Sequence, residues 1–287
     1  MTRGAYNPHM PGELFLIGSP IGNLSDISRR QLRTLGSLDI LYCEDTRVTH
    51  KLISHFGISR VNLRSLPDDS KPSAWKKAIH EVDAGRKVGF ITDAGMPGVS
   101  DPGRKLVRQA FEHGIRPQVI PGCSALGTLL AACPFVDNSF AFHGFIPKTG
   151  GKRTEALKAI AESTIPVLYF DSPHRVRDNM QELCEMLDEE REILIGREMT
   201  KLHEEFVLFR PAEMETVFKR IKIAGEFTLA VSARQLNEAE EHDDAELREK
   251  LALLQENGFS SKDAVKALSL VLDVKPNRLK KLGFGGS

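Results

Sequence analysis

The chain has 287 residues, with 39 Lys and Arg balancing 39 Asp and Glu, 41% hydrophobic and 27% charged residues; this is a globular composition, which excludes a disordered or fibrous chain and leaves a nucleic-acid partner neither required nor forbidden. Cys43, Cys123, Cys133 and Cys184 show no Cys-x-x-Cys spacing, and the nine histidines show no ligand spacing, so neither a disulfide framework nor a bound metal is expected. Residues 1–12 hold one Arg and no apolar run, and no stretch approaches the roughly 18 apolar residues of a membrane span, so a cytoplasmic protein without a membrane partner is expected.

A first strand over residues 14–17 runs into GSPIG at 18–22. This loop lacks the Gly-x-Gly-x-x-Gly spacing and the Gly-Lys-Ser/Thr ending, and Pro20 removes an N–H that a phosphate cradle would use. It suits a ligand without a pyrophosphate. After a helix over 26–35, a strand over 40–43 ends in EDTR at 44–47, with His50 and Lys51 close behind. Arg47 reads either as a ligand for phosphate or ribose, or as the ion-pair partner of Asp45.

A strand over 61–63 and a helix over 74–84 precede the most informative segment. The strand over 88–92 opens into residues 93–103, where three glycines and two prolines fall within eleven positions. Such a loop has a fixed shape, and its bare backbone can approach a ligand at the carboxyl end of a strand. Asp93 can accept from a ligand ammonium or hydroxyl, Ala94, Gly95 and Met96 offer backbone groups, and Asp101 reads as a turn cap. A helix over 104–113, a strand over 118–120 and a helix over 124–132 follow, with Ser124 either an N-cap or a ligand contact.

A second set has strands over 140–145, 167–170, 193–195, 205–209 and 227–231, and helices over 153–161 and 175–187. Its loops include the basic run Lys148, Lys152, Arg153, the segment YFDSPHR at 169–175 and REMTK at 197–201. Charges at strand ends facing a cleft suit substrate handling. An acidic stretch at 238–246 reads as a linker, and helices are expected over 247–257, 261–273 and 277–282, with eight Lys or Arg against four acids from residue 247 onward. The alternation of strands and helices gives an α/β fold class: one α/β domain over 12–138, a second over 139–236 with an interdomain cleft, a linker over 237–246 and a small C-terminal helical region over 247–287.

SPIGNL at 19–24, EDTR at 44–47, DAGMP at 93–97 with DPG at 101–103, PG at 121–122, YFDSPHR and REMTK occur in an order that resembles the tetrapyrrole-methylase superfamily, and within it the ribosomal RNA small subunit methyltransferase I family. The resemblance implies a homodimeric S-adenosylmethionine-dependent enzyme that methylates a cytidine ribose 2′-hydroxyl in the decoding region of 16S rRNA, alone or in the small ribosomal subunit. The family's donor contacts carry over to Pro20, Asp93, Ala94, Gly95, Met96, Ser124, Ala125, Phe170 and Asp171. This chain departs from the pattern at Met96, at Asp171 and at LPDDS over 66–70, where the family has Thr, Glu and a His-rich run.

In such a reaction the hydroxyl must lose its proton, and Glu198, Asp45 or a Lys201 with depressed basicity can accept it. Arg47, Lys148, Lys152, Arg153, His174, Arg175 and Arg197 are the expected RNA contacts. The rival readings are a methylase of a small tetrapyrrole-like substrate and a non-catalytic RNA-binding protein.

Overall fold

The structure, a computed structural model, describes residues 12–235, 243–272 and 274–284. The chain divides into two compact units, Met1–Ala233 and Arg234–Ser287. The first half of the larger unit alternates β1 (Glu13–Ile17), α1 (Arg29–Ser37), β2 (Ile40–Cys43), α2 (Thr46–His55), β3 (Asn62–Ser65), α3 (Pro72–Asp83), β4 (Lys87–Ile91), α4 (Gly103–Glu112), β5 (Gln118–Ile120) and α5 (Ala125–Ala132). The strands form one sheet in the order β3-β2-β4-β1-β5, parallel throughout.

Both faces of this sheet are covered, which is why β1, β2 and β4 read as continuous apolar runs. Alternate residues of β1 serve opposite faces: Leu14 and Leu16 pack with Trp75, Ile79 and Leu106, while Phe15 and Ile17 pack with Leu35, Leu52 and Ile53. The carboxyl ends of β1, β2, β4 and β5 therefore lie along one edge, where ligands of open parallel sheets bind.

The second half runs β6 (Ala141–Phe145), α6 (Gly151–Ala161), β7 (Val167–Asp171), α7 (Val176–Met186), β8 (Ile193–Arg197), β9 (Glu205–Phe209), α8 (Met214–Arg220) and β10 (Phe227–Val231). Its strand order is β6-β7-β10-β8-β9. Only β6 and β7 pair in parallel; the others are antiparallel. Helices α6, α7 and α8 cover one face, and α5 from the first half packs on Leu168, Leu194 and Ala230 of the other.

Two helices lie where no helix is expected from the pattern, α2 and α8. α2 starts inside the charged EDTR run, where Asp45 accepts from the Arg47 N–H as an N-cap and the buried residues come late. α8 has only seven residues.

In the smaller unit, α9 (Asp244–Glu256), α10 (Ser261–Leu272) and α11 (Pro276–Phe284) enclose Leu247, Leu251, Val265, Leu268 and Leu279. Ser260 accepts from the Asp263 N–H, Gly258 is left-handed at φ 89°, and Pro276 opens α11. The acidic stretch is shorter than expected: Asp243 caps α9, accepting from the Ala245 N–H, so residues 244–246 are helix, because acids in a first turn match the helix dipole. The rest of that stretch, residues 237–242, lies outside the described residues. Among the described residues no helix is long and apolar enough to cross a membrane.

Candidate functional site

The loop after β4 is tied to the loop after β1 by two backbone hydrogen bonds, Ser19 N–H to Gly95 O at 2.8 Å and Gly95 N–H to Ser19 O at 3.2 Å. Gly95 at φ 82° and Gly98 at φ 92° hold conformations that favour glycine. Asp101 knots the loop, accepting from the backbone N–H groups of Gly98, Val99 and Gly103 at 2.6 to 3.0 Å, which is the turn-cap role expected of it. Below, buried Gln31 donates to Gly18 O at 2.6 Å, and its amide stands 2.7 Å from where a Cβ on Gly122 would lie. The Gly122 N–H points at the Met96 sulfur at 3.2 Å, so Met96 props the loop.

These loops and the second sheet enclose a cavity of about 370 Å³. One wall is Asp93, Ala94, Gly95, Met96 and Asp101, with Ser124 and Ala125; the opposite wall is Phe145, Phe170, Asp171, Phe227 and Thr228. Eight of the nine donor contacts implied by the resemblance line it. The ninth, Pro20, borders an adjoining cavity of about 500 Å³, made by Ser19, Gly22, Leu24 and the α2 residues Val48, Lys51, Leu52 and His55, with Lys201. Ile21, Asp93, Ala94 and Glu226 line both.

Glu44, not singled out from the sequence, lines the first cavity beside Asp93. It accepts from the Asp93 N–H at 3.3 Å, and Asp93 accepts from the Asp45 N–H at 3.2 Å. Desolvation pushes both carboxyls above their ordinary range, Glu44 also through the Asp93 charge and Asp93 through the Asp45 charge. Two carboxylates that ionise reluctantly are a receptor for a cation. The signal was present in the EDTR run, but a strand-end acid is recognisable as a cavity wall only once β2 and β4 are neighbours.

Deep in the second half, Asp171 is buried and accepts from the Asn179 amide at 2.7 Å and the Ser172 N–H at 2.7 Å, with Arg175 at 3.8 Å. Desolvation outweighs these bonds and raises its proton affinity. Arg175 donates to Ile146 O, Pro147 O and the Ser172 hydroxyl, pinning the loop after β6. Arg153 bonds Asn179 and pairs with Glu182. Arg197 is 4% exposed and donates to Ala224 O, His203 O and Glu205. These three arginines, expected as RNA contacts, are committed to backbone carbonyls and carboxylates of their own half. Lys148, Lys152 and His174 are exposed. Arg47, 86% exposed, forks onto Asp45.

The turn after β8 links the two halves. Glu198 at φ 49° and Thr200 at φ 67° are left-handed, the Thr200 hydroxyl accepts from the Asn23 N–H at 3.1 Å, and the Lys201 chain crosses Gly22 so closely that a Cβ there would stand 2.4 Å from its Cγ. The Lys201 ammonium meets Glu198 at 2.8 Å and Glu226 at 3.2 Å. Desolvation works against its charge, but these two carboxylates outweigh that and raise its basicity. Glu198 is desolvated too, yet Lys201 and the Glu226 N–H hold it below its usual range. Asp45 is held at about 2 by Arg47. All three expected proton acceptors are thus fixed in their charged forms, and the expected depression of Lys201 is reversed because its neighbours are anionic. Among the described residues no group of His, Cys, Asp and Glu is arranged to hold a metal.

Residues 13–215 match the family model of the Tetrapyrrole (Corrin/Porphyrin) Methylases. The chain is 36% identical to a ribosomal RNA small subunit methyltransferase I of Thermotoga maritima over 224 residues, 78% of this chain and all of that protein, and 33% identical to that of Vibrio cholerae over 99% of this chain and 98% of the relative. Among solved structures it is similar to a cobalt precorrin-4 methyltransferase (TM-score 0.60, 15% identity, 80% of this chain and 98% of the other). A uroporphyrin-III C-methyltransferase of Thermus thermophilus complexed with S-adenyl homocysteine gives TM-score 0.54 at 16% identity, covering 77% of this chain and 97% of the other.

Proposed function

The chain belongs to the tetrapyrrole methylase family, and from that premise we propose that it is an S-adenosylmethionine-dependent methyltransferase of small-subunit ribosomal RNA, acting on the 2′-hydroxyl of a cytidine ribose. The observation that carries this reading is the cavity walled by Glu44 and Asp93, together with relatives over essentially the whole chain that are named for this substrate. The cavity fits the donor: carboxylates for its cationic groups, apolar Phe145 and Phe170 for its base, and loop backbone from Ala94 to Met96. When bound, the donor supplies an electrophilic methyl carbon, whose bond to sulfur breaks with the electron pair as the bond to the ribose oxygen forms. Holding the oxygen in line with that carbon is most of the catalytic task.

For the proton, Asp45, Glu198 and Lys201 are poor acceptors in the states described above. Glu226, two-thirds exposed and bordering both cavities, takes the hydroxyl proton and passes it to water. Lys201, kept protonated, stabilises the negative charge developing on the oxygen. Residues 12–138 and 139–236 act as the two domains that carry the donor cavity between them.

A homodimer in the cytoplasm completes the reading. In its support, Phe206 and Leu208 of edge strand β9 are 40% and 48% exposed on the sheet face that α5 covers only in part, and an apolar edge is ordinarily covered or charged.

The test is calorimetry with S-adenosylmethionine and mass mapping of rRNA methylation in cells with and without the protein. Binding in the micromolar range, lost by at least tenfold in Asp93→Ala, together with one ribose methyl group that disappears with the protein, is the expected result. No binding at millimolar donor defeats the enzyme reading, and transfer to a tetrapyrrole instead of rRNA defeats the substrate.

A further inference from the structure

A methyl carbon held in the donor cavity must be approached from the side away from the sulfur, with the reacting atoms about 3–3.5 Å apart. An acceptor seated in a cavity that shares a wall with the donor cavity can make that approach. The cavity on the α2 side has such a wall in Ile21, Asp93, Ala94 and Glu226. It is lined by apolar Pro20, Leu24, Val48 and Leu52, by Lys51, His55 and Lys201, and by the carboxylates of Asp93 and Glu226. Val48, Lys51 and His55 stand at positions i, i+3 and i+7 of α2, a spacing that places them on one stripe of the helix, and all three are exposed.

Apolar surface beside the Lys51 ammonium suits a nucleotide, which has a flat base and an anionic backbone, and the carboxylates stand at the wall shared with the donor cavity. The chain that leaves the rim at Leu24 enters α1 with Arg29 and Arg30 in its first turn and Arg33 one turn on, all exposed. Cations there oppose the helix dipole, an arrangement that an approaching phosphate relieves.

We infer that the α2-side cavity receives the acceptor nucleotide of single-stranded RNA, base against Pro20 and Val48 and ribose toward Glu226, with Lys51 and the start of α1 guiding the flanking phosphates. The inference rests on the methyltransferase reading and adds where the acceptor enters. It assigns acceptor binding to α2, away from Arg175 and Arg197, which hold their own loops.

The experiment uses the full chain and small ribosomal subunits from cells lacking the enzyme, with Val48→Trp to fill the cavity and Lys51→Glu to reverse its rim. Both positions are exposed, so both variants are expected to fold. Donor affinity within twofold of wild type, with KM for subunits raised at least tenfold, is the expected outcome for each; Lys51→Glu should also flatten the salt dependence of subunit binding. Ultraviolet crosslinking followed by peptide mapping should place the target nucleotide on α2 or the loop after β1. Wild-type KM in both variants, or a crosslink from α2 to a ribosomal protein alone, overturns the inference while leaving the methyltransferase reading in place. Wild-type protein that neither binds donor nor methylates subunits removes both.

Discussion

Glu44 and Asp93 illustrate how a site can be held at a cost to the empty protein. Each carboxyl is desolvated and sits near other acids, so the folded protein binds protons at these positions more tightly than the unfolded chain does. Their contribution to stability is therefore present at low pH and is lost as pH rises through the raised values. A bound cation reverses the balance by favouring the ionised forms. Donor affinity should accordingly rise with pH through the mildly acidic range and level off above it, with proton release detectable by calorimetry in buffers of different ionisation enthalpy. Glu44→Gln keeps an acceptor for the Asp93 N–H but removes a charge. It should weaken donor binding about tenfold, near 1.4 kcal/mol, and leave the melting temperature of the empty protein at pH 7 unchanged or higher. A fall in melting temperature with unaltered donor affinity would make Glu44 a structural residue. At this scale the sequence was most legible where backbone chemistry is restrictive: the glycine and proline positions of 93–103 identify the loop without neighbours. Partnerships were less legible. Nothing local tells that Arg197 is buried or that Lys201 faces two carboxylates, since those depend on the pairing of β8 with β9 and β10.

Among the elements, strands are the most legible, because they are short apolar or alternating runs bounded by turn residues: β2 and β5 of the parallel sheet and β9 and β10 of the mixed one begin and end as the pattern predicts. Helices α2 and α8 were hidden for opposite reasons, one by charge at its start and one by brevity. Of the two, α2 matters more, because it forms a wall of the second cavity. Strand β9 carries a different consequence. Leu208 stands opposite Leu194, and Phe206 opposite Gly196, in register, so the exposed pair continues the face buried under α5. Phe206→Asp combined with Leu208→Asp should convert a dimer into a monomer in sedimentation equilibrium, with little change in melting of the protomer's core. A wild-type protein that sediments as a monomer at micromolar concentration would show that this face serves something else.

For the whole molecule, the division after Ala233 separates a unit holding both cavities from a helical unit with its own small core. Over Arg234–Ser287 that unit holds nine Lys and Arg against ten acids, but the acids are concentrated before residue 247, and eight cations against four acids follow it; we propose that this basic helical part adds to attraction for a polyanion. A chain ending at Ala233 should bind S-adenosylmethionine within twofold of the full protein. It should bind small subunits more weakly, with a shallower slope of log affinity against log salt, smaller by about two or more. An unchanged slope would assign the helical unit no part in RNA attraction. The succession of two α/β halves is readable from alternation alone, whereas the antiparallel pairings of the second sheet are not, because the pattern of strands and helices does not fix strand direction.

Gly225, left-handed at φ 87°, lies under Glu198, and any Cβ there would fall 2.3 Å from the carboxyl group. Two positions nearly thirty residues apart thus share one small volume. A side chain at 225 would have to push the Glu198 carboxyl aside, and with it loosen the ammonium anchored between the halves, on top of the strain that a φ of 87° imposes on any residue but glycine.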